Sequence, residues 1–256
     1  EAVADMRARL NAAREDAEAL VRWTAKLPLP DDEQDFVSVA MRHPDEYAIH
    51  RGRLVTSLGH DLDISEFDKH FQESHAPHST ALHAHLDGKP YLVGPLARMN
   101  LNYAQMPAEL RGLLENLGFR FPSQNMFHSI VARAAEVWLV VDEAERLLAE
   151  YELPDTSAVP STPRAGLGYG CSEAPRGILW HRYVADDNGN VLEARIVPPT
   201  SQNQARIEED LRLSLTRFGL DRADAELRLR GETVIRNYDP CISCATHFLR
   251  LKVARE

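Results

Sequence analysis

The segment from about residue 124 to 152, SQNMFHSIVARAAEVWLVVDEAERLLAEYEL, gives the strongest helical signal in the sequence. Its apolar residues repeat with helical spacing and are dense enough to occupy most of the helix surface, which is typical of a helix covered on several sides. A rod of this kind requires other elements to pack around it. We therefore predict a mainly α protein with a small β component, an α+β class with a helical bundle core.

Four further segments have helical patterns. Residues 2 to about 26 are amphipathic, and PAELRGLLENLG begins a helix near Pro107 and ends it at Gly118. Two more helices are expected at about 203–218 and 223–236. The predicted helices therefore outnumber the predicted strands.

Strand signals are confined to two stretches. Residues 47–59 read as paired strands. GILWHRYVADDNGNVLEARIVPP, 177–199, alternates on both sides of Asn188 and Gly189, which accept the positive φ of a type I′ hairpin turn. A segment rich in Pro, Ser, Thr and Gly near 153–168 is predicted to be a connection.

A histidine-rich segment, 64–86, is predicted to be helical in part. Pairs such as His75 and His78 have the spacing of metal ligands on a helix. However, Pro77 interrupts that helix, and the segment has no H-E-x-x-H motif. A surface or inter-subunit segment is therefore favoured over a second metal site. The residues of interest are His70, Glu73, His75, His78, His83 and His85.

Charge, hydropathy and cysteine usage restrict the partners. The formal net charge is -10, so nucleic acid and anionic membranes are repelled on average. The longest apolar run, VWLVV, is far short of the roughly 20 residues that span a bilayer. Three cysteines are too few for a disulfide framework in 256 residues. We expect a protein of the reducing cytoplasm with no nucleic acid or membrane partner.

The stretch NYDPCISCATH, 237–247, concentrates metal-binding chemistry. Asp239 and Pro240 are typical of a helix N-cap and first position, which places Cys241, Cys244 and His247 in the first turns. Steps of three residues fan these side chains over roughly 120° of one helix face. Two thiolates and one imidazole are one ligand short of a closed zinc site. A structural zinc completed by Cys171 or a remote histidine, and a plain dithiol, therefore remain alternatives.

At these residues the sequence resembles the large subunit of nickel-iron hydrogenases, whose C-terminal signature is D-P-C-x-x-C-x-x-H. The SCATH version is most similar to the soluble, cytoplasmic, NAD(P)-coupled group. Three more segments resemble that family: VGPLARMNL at 93–101, CSEAPRGILWH at 171–181 and VPPTSQN at 197–203. The similarity therefore extends over most of the chain.

The resemblance implies a nickel-iron centre whose iron carries carbonyl and cyanide ligands. Cys241 would be a terminal nickel thiolate, and Cys244 would bridge nickel and iron. Arg176 would hold its guanidinium over the open metal position as a base or electrostatic partner in heterolytic cleavage of hydrogen. Asp239 would pair with Arg176 and orient it.

Other residues would surround this centre. Pro175 and Pro199 would line the dry cavity around the iron, and Thr200 would donate a hydrogen bond to a cyanide ligand. His247 would bind a nearby magnesium or iron ion together with the carbonyl of Ile196, because imidazole and carbonyl groups suit the harder ion.

Ordinary structural roles are the alternatives at several of these positions. Arg176 could be a buried arginine paired with Glu173, and Asp239 could be only a helix cap. Cys171 is expected to be a small buried apolar residue rather than a metal ligand. His181 is expected to be a core histidine with its hydrogen bonds satisfied.

The family supplies four cysteines to the centre, and only the C-terminal pair is present. We expect residues 1–256 to be the C-terminal part of a single large-subunit domain whose N-terminal part is missing, so that this part alone is inactive. Residues 248–256 resemble the extension that a maturation endopeptidase removes, with cleavage expected between His247 and Phe248.

The function implied is that of the catalytic subunit of a soluble hydrogenase. The resemblance implies that electrons pass to a small subunit with iron-sulfur clusters and then to flavin and NAD(P) on diaphorase-type subunits, with a deazaflavin acceptor as the alternative. These cofactors are expected on partner subunits because this chain has neither cluster cysteines nor a dinucleotide glycine motif. The alternatives are a non-catalytic large-subunit-like component of a redox complex and a zinc-binding scaffold.

Overall fold

The computed structural model describes residues 2–241. The helices in this part of the chain are α1 (Ala2–Thr24), α2 (Phe67–His70), α3 (Pro95–Asn102), α4 (Ala108–Asn116), α5 (Ser129–Ala149), α6 (Pro199–Phe218) and α7 (Asp224–Asn237). The strands are β1 (Val39–Arg42), β2 (Arg53–Thr56), β3 (Asp61–Leu62), β4 (Phe71–His75), β5 (Leu82–Leu86), β6 (Gly166–Ala174), β7 (Gly177–Ala185) and β8 (Val191–Val197). The α+β class is confirmed.

The first core lies between the helices. The long helix α5 packs along α1 and also contacts α3, as its apolar pattern requires. Trp138 and Val131 of α5 are buried in this core together with Leu96 of α3 and Leu110 of α4. The expectation that α5 is mostly buried holds for one face only, since Val137 and Val140 are exposed.

The second core lies between three small antiparallel sheets. The sheets have the strand orders β1-β2-β3, β4-β5 and β6-β7-β8. Their shared centre is a stack of aromatic rings in which Phe67 lies 4.6 Å from Trp180 and 4.4 Å from Phe71. Burying large aromatic faces gives these short strands the apolar contact area that none of them has alone.

Two sequence predictions in this region were only partly right. Residues 47–59 do not pair with each other: only β2 is a strand, and it pairs with β1 and β3. The histidine-rich segment is helical at 64–70, as predicted in part. Residues 71–86 instead form the β4-β5 hairpin, and Pro77 lies in its turn. In both segments the strands form because of contacts across the sheets, since strand formation depends on burial against neighbours more than on local sequence.

The predicted hairpin around Asn188 and Gly189 is formed by β7 and β8. Its loop differs from the predicted type I′ turn, since only Gly189 of the pair has a positive φ, at 80°. The amide of Gly189 donates to the carbonyl of Asp186, and the Asp186 carboxylate accepts from the amide of Asn190. This aspartate stabilises a longer loop, as Asx turns do.

The predicted connection near 153–168 is exposed and has neither helix nor strand from residue 150 to 165. Its last residues belong to β6, which begins at Gly166 and was missed as a strand. Three glycines at alternate positions of β6 removed the apolar alternation that marks a strand. Within the described residues, no helix has both the length and the apolar character needed to cross a bilayer.

Gly94 and Gly177 bring two segments into close contact. A Cβ atom on Gly94 would lie 2.8 Å from the carbonyl oxygen of Arg176, and one on Gly177 would lie 2.4 Å from a methyl group of Val93. Both glycines have positive φ, 108° and 133°. The start of α3 and the β6-β7 turn therefore touch only because neither position has a side chain.

The substitution Gly177→Ala is expected to destabilise the protein by at least about 2 kcal/mol, because backbone strain and a steric clash each cost about 1–3 kcal/mol. Gly168→Ala is the matched control in β6, where an added Cβ atom meets nothing within 4 Å. Thermal unfolding of the two variants compares them. Equal midpoints would contradict the close contact.

Candidate active site

Three chain segments meet at one small cavity. The β6-β7 turn supplies Arg176, the first turn of α6 supplies Pro199 and Thr200, and the segment after α7 supplies Asp239 and Cys241. Five of the predicted site residues, drawn from positions far apart in the sequence, therefore lie together. The remaining residues that line the cavity are Asn203, Ile207, Tyr238 and Pro240.

Arg176 and Asp239 form an ion pair at this cavity. The Nε atom of Arg176 lies 3.2 Å from Oδ2 of Asp239 and donates a hydrogen bond of 2.5 Å to the Asp239 carbonyl oxygen. One guanidinium edge therefore contacts both the backbone and the side chain of Asp239. The two side chains are 41% and 44% exposed, so solvent still reaches the pair.

The predicted N-cap geometry of Asp239 is not observed. Its φ is 50°, in the left-handed region, whereas N-cap residues are typically extended. The helix that it was expected to cap, with Cys244 and His247, lies outside the described residues. Asp239 instead turns the chain directly after α7, which ends at Asn237.

The other predicted residues lie beside this cavity or away from it. Pro175 is exposed and lines a second, larger cavity that shares Asp239 with the first. Ile196 lies opposite His181 in β8, half exposed and outside both cavities. His181 is partly buried, and its Nδ1 atom lies 3.1 Å from the Tyr183 hydroxyl.

The larger cavity has a volume of about 460 Å³ and is lined by both apolar and charged residues. Val137 and Val140 of α5 are among the apolar lining residues. Arg133 is among the charged lining residues, and within residues 2–241 its buried Nε atom has no hydrogen-bond partner. Burial lowers the pKa of Arg133. Nη2 of Arg133 donates a hydrogen bond of 3.4 Å to the Asn237 carbonyl oxygen, so Nε is the donor that the described residues leave unused.

Arg98 of α3 is the centre of a buried charge network that the sequence analysis missed. Its guanidinium binds Glu136 through Nε and Nη2, both at 2.6 Å, and Glu173 through Nη1 at 2.9 Å. It also donates to the carbonyl oxygens of Ala174 and Pro175, at 2.9 and 3.2 Å. Arg98 thus fixes the backbone directly before Arg176.

The carboxylates of this network have further partners. Glu136 accepts a hydrogen bond from the Tyr47 hydroxyl at 2.7 Å, and Glu173 accepts one from the Met41 amide at 2.8 Å. The alternative in which Glu173 pairs with Arg176 is therefore wrong: Glu173 pairs with Arg98. An arginine inside the apolar segment VGPLARMNL was the only sequence signal for the network.

The network changes the ionisation of its members. Burial lowers the pKa of Arg98, but Glu136 and Glu173 more than offset this effect and raise it well above its ordinary value. Burial raises the pKa of Glu173, which Arg98 partly counteracts. Burial and the adjacent Glu136 raise the pKa of Tyr47, so its hydroxyl remains a donor. Arg98 is therefore a permanent cation with two buried acceptors.

Two amides of α6 hold the cavity together from the other side. Asn203 accepts a hydrogen bond from the Val93 amide at 2.9 Å and donates to the Arg176 carbonyl at 3.4 Å. Gln202 donates to the Ile178 carbonyl at 2.6 Å. Hydrogen bonds thus join the four segments that resemble family motifs, through Val93, Arg176, Asn203 and Asp239. Cys171 lies in the second core, where burial raises the pKa of its thiol, as expected of an apolar role.

Comparison with solved structures identifies the class of fold. The structure of an NAD+-reducing [NiFe]-hydrogenase in the H2-reduced state superimposes with a TM-score of 0.76 at 24% identity, over 94% of this chain and 58% of that one. An anaerobically purified [NiFeSe]-hydrogenase from Desulfomicrobium baculatum gives a TM-score of 0.70 at 22% identity, over 96% and 60% of the two chains. The fold is that of these hydrogenase chains.

Sequence comparison then gives the family. The family model described as nickel-dependent hydrogenase matches residues 60–247. Sulfhydrogenase 1 subunit alpha of Pyrococcus furiosus is 32% identical over 81% of this chain and 48% of its own length. NAD-reducing hydrogenase HoxS subunit beta of Cupriavidus necator is 31% identical over 80% of this chain and 46% of its own length. The chain belongs to the nickel-dependent hydrogenase family.

The chain spans about half the length of the curated relatives that it matches. The resemblance to nickel-iron hydrogenase large subunits that the sequence motifs predicted is confirmed, and so is the similarity to an NAD-reducing member.

Proposed function

We propose that this chain belongs to the catalytic large subunit of a nickel-iron hydrogenase that interconverts hydrogen with protons and electrons. The observation that supports the proposal most is the Arg176–Asp239 ion pair at the cavity that Cys241 also lines. A positive group, a carboxylate and a cysteine at one cavity are the groups that metal-assisted proton transfer requires.

Cys241, Pro199 and Thr200 line this cavity, which supports a nickel-iron centre bound there. Thiolates suit nickel and low-spin iron, so Cys241 and Cys244 would bind the two metals. Pro175, Pro199 and Thr200 would surround the carbonyl and cyanide ligands of the iron. His247 and the carbonyl of Ile196 would bind a magnesium or iron ion. When bound, the centre supplies the Lewis acidity that polarises hydrogen for heterolytic cleavage.

The residues of this chain would then control the proton. Arg176, held by Asp239, would stabilise the charge separation as hydrogen is cleaved and act as a transient acceptor. Asp239 lies 3.2 Å from its Nε atom and would keep the guanidinium at one angle over the cavity. Arg98 would keep the preceding backbone in place through the Pro175 carbonyl.

Electron transfer would involve other subunits. The relative from Cupriavidus necator is a subunit of an NAD-reducing hydrogenase. By analogy we propose a small subunit with iron-sulfur clusters and flavin-containing diaphorase-type subunits that pass electrons to NAD(P). We also propose a cytoplasmic location and processing by a maturation endopeptidase after His247.

The complete protein, purified with its partner subunits, is expected to contain nickel and to exchange D2 with water protons without an added electron acceptor. Exchange requires heterolytic cleavage alone, so it does not depend on the proposed acceptor. Metal analysis and mass spectrometry of the evolved HD measure both properties, and protein produced without nickel is the control.

The alternatives predict different results. A non-catalytic component would contain no nickel and catalyse no exchange, and a zinc scaffold would contain zinc in place of nickel. D2 exchange without reduction of NAD(P) would support the proposed hydrogenase activity. It would contradict only the proposed electron transfer to NAD(P).

A further inference from the structure

Three possible metal ligands come together far from the Arg176 cavity. His78 lies in the turn of the β4-β5 hairpin, His83 lies on β5, and Glu208 lies on α6, which packs against β5. The side-chain donor atoms of the three residues all lie within 4.8 Å of one another. The sequence did not reveal this cluster, because its carboxylate is 130 positions away from His78.

The distances in this cluster fit a tetrahedral ion. Nε2 of His78 and Nε2 of His83 each lie 3.2 Å from the same carboxylate oxygen, Oε1 of Glu208. A tetrahedral zinc ion has bonds of about 2.0–2.1 Å to nitrogen and oxygen, which places adjacent ligand atoms about 3.3 Å apart. Both nitrogen-to-oxygen distances therefore match such an ion, and the donor atoms of the two histidines lie within 4.8 Å of each other.

His83 provides a second, independent observation. Its side chain is only 9% exposed, and within the described residues its Nε2 atom makes no hydrogen bond. The contact with Glu208 is short but lacks hydrogen-bond geometry. Buried polar atoms almost always have a partner, so an unpartnered ring nitrogen aimed at a carboxylate requires a physical reason. A metal ion bound to that nitrogen would supply one.

The surroundings favour metal binding as well. Gln204, one turn before Glu208 on α6, donates a hydrogen bond of 3.2 Å to its carboxylate and orients it. The His78 side chain is 68% exposed, so an ion can enter from solvent. Two imidazoles and one carboxylate suit zinc and similar transition-metal ions, whereas magnesium and calcium prefer oxygen ligands alone.

We propose that His78, His83 and Glu208 bind a divalent transition-metal ion of the zinc type, separate from the proposed nickel-iron centre. The three residues leave the fourth coordination position to water or to another ligand. The ion links the β4-β5 hairpin to α6, whose first turn carries Pro199 and Thr200. Its role is to hold that helix in place. The proposal does not depend on hydrogenase activity.

The test is zinc binding to the complete protein in which every cysteine of the proposed nickel-iron centre, including Cys241 and Cys244, is replaced by serine, so that no thiolate of that centre can bind the ion. After dialysis against a chelator, this protein is titrated with Zn2+, and with Co2+ as a spectroscopic probe. We expect one ion per chain, and the visible absorption of tetrahedral cobalt without a thiolate charge-transfer band.

His78→Ala and Glu208→Gln are each expected to weaken binding by more than 100-fold, since loss of even an outer-shell partner costs about 10–100-fold. His75→Ala is the matched control, because it removes an exposed histidine of the same hairpin that lies outside the cluster. Circular dichroism confirms folding of each variant, and His78 is exposed enough to be replaced without loss of packing.

Equal affinities for the His78→Ala and His75→Ala variants would overturn the proposal, as would octahedral cobalt spectra. Zinc should also raise the unfolding temperature of the protein with the intact cluster and not that of Glu208→Gln, because a ligand stabilises only the folded state that binds it. Nickel and exchange measurements on the unmodified protein test the hydrogenase proposal separately, so failure of either proposal is recognised independently.

Discussion

Replacing Arg176 by glutamine is expected to lower the rate of D2 exchange with water by about 10²–10³-fold, the usual cost of removing one preorganised charged or hydrogen-bonding group from an active site. The side chain donates to Asp239 through Nε, which leaves the rest of the guanidinium to face the cavity. Glutamine is shorter and uncharged, so it loses both the charge and this position. Nickel content should not change, because arginine has no lone pair to offer a metal.

Two further variants and the nickel content of Arg176→Gln show whether a slower exchange reflects catalysis. Arg182→Gln is the matched control, since Arg182 lies on β7 and pairs with the exposed Glu193. It should exchange D2 at the normal rate. Arg176→Lys keeps the charge but not the planar donor, and we expect an intermediate rate. A normal rate for Arg176→Gln would contradict the catalytic role, and loss of nickel in that variant would show that Arg176 is instead required for assembly.

Helical elements were predictable because their information is local. The 3.6-residue pattern identified α1 and α5, and Pro107 and Gly118 marked both ends of α4. Most of the predicted site residues also lie within short motifs that the sequence shows directly. Arg176, Asp239 and Cys241 lie at one cavity, as the family resemblance implied.

Other features depend on contacts between distant residues, which a single sequence does not contain. β6 is a strand because β7 pairs with it, although its glycines weaken the local signal. Arg98 is buried because two carboxylates, 38 and 75 positions away, neutralise it. Without those partners an arginine in a short helix reads as a surface residue. The His78–Glu208 contact was hidden for the same reason.

Replacing Arg98 by methionine is expected to destabilise the protein by about 3–5 kcal/mol, the usual cost of removing one partner from a buried ion pair. Methionine preserves much of the side-chain volume, so the loss would come from charge rather than from a cavity. Glu136 and Glu173 would remain buried without their cation. Urea unfolding with the m value held fixed measures the change.

The surface variant Arg7→Met is the control, because its pair with Glu145 is partly exposed and should contribute less than about 1 kcal/mol. Adding Glu136→Gln and Glu173→Gln to Arg98→Met should recover part of the lost stability by removing the uncompensated charges. If this triple variant is no more stable than Arg98→Met, the loss arises from packing and not from charge.

The pH dependence of the Arg98→Met variant provides a second test. Burial already raises the pKa of Glu173 in the folded protein, and Arg98 is what opposes this shift. Without Arg98 the folded-state pKa rises further above the unfolded value. A group of this kind contributes stability at low pH that is lost as pH rises through its folded pKa. The loss in free energy of unfolding caused by Arg98→Met should therefore be small in mild acid and larger at alkaline pH. A loss that stays constant across this range would show that the carboxylates do not cause it.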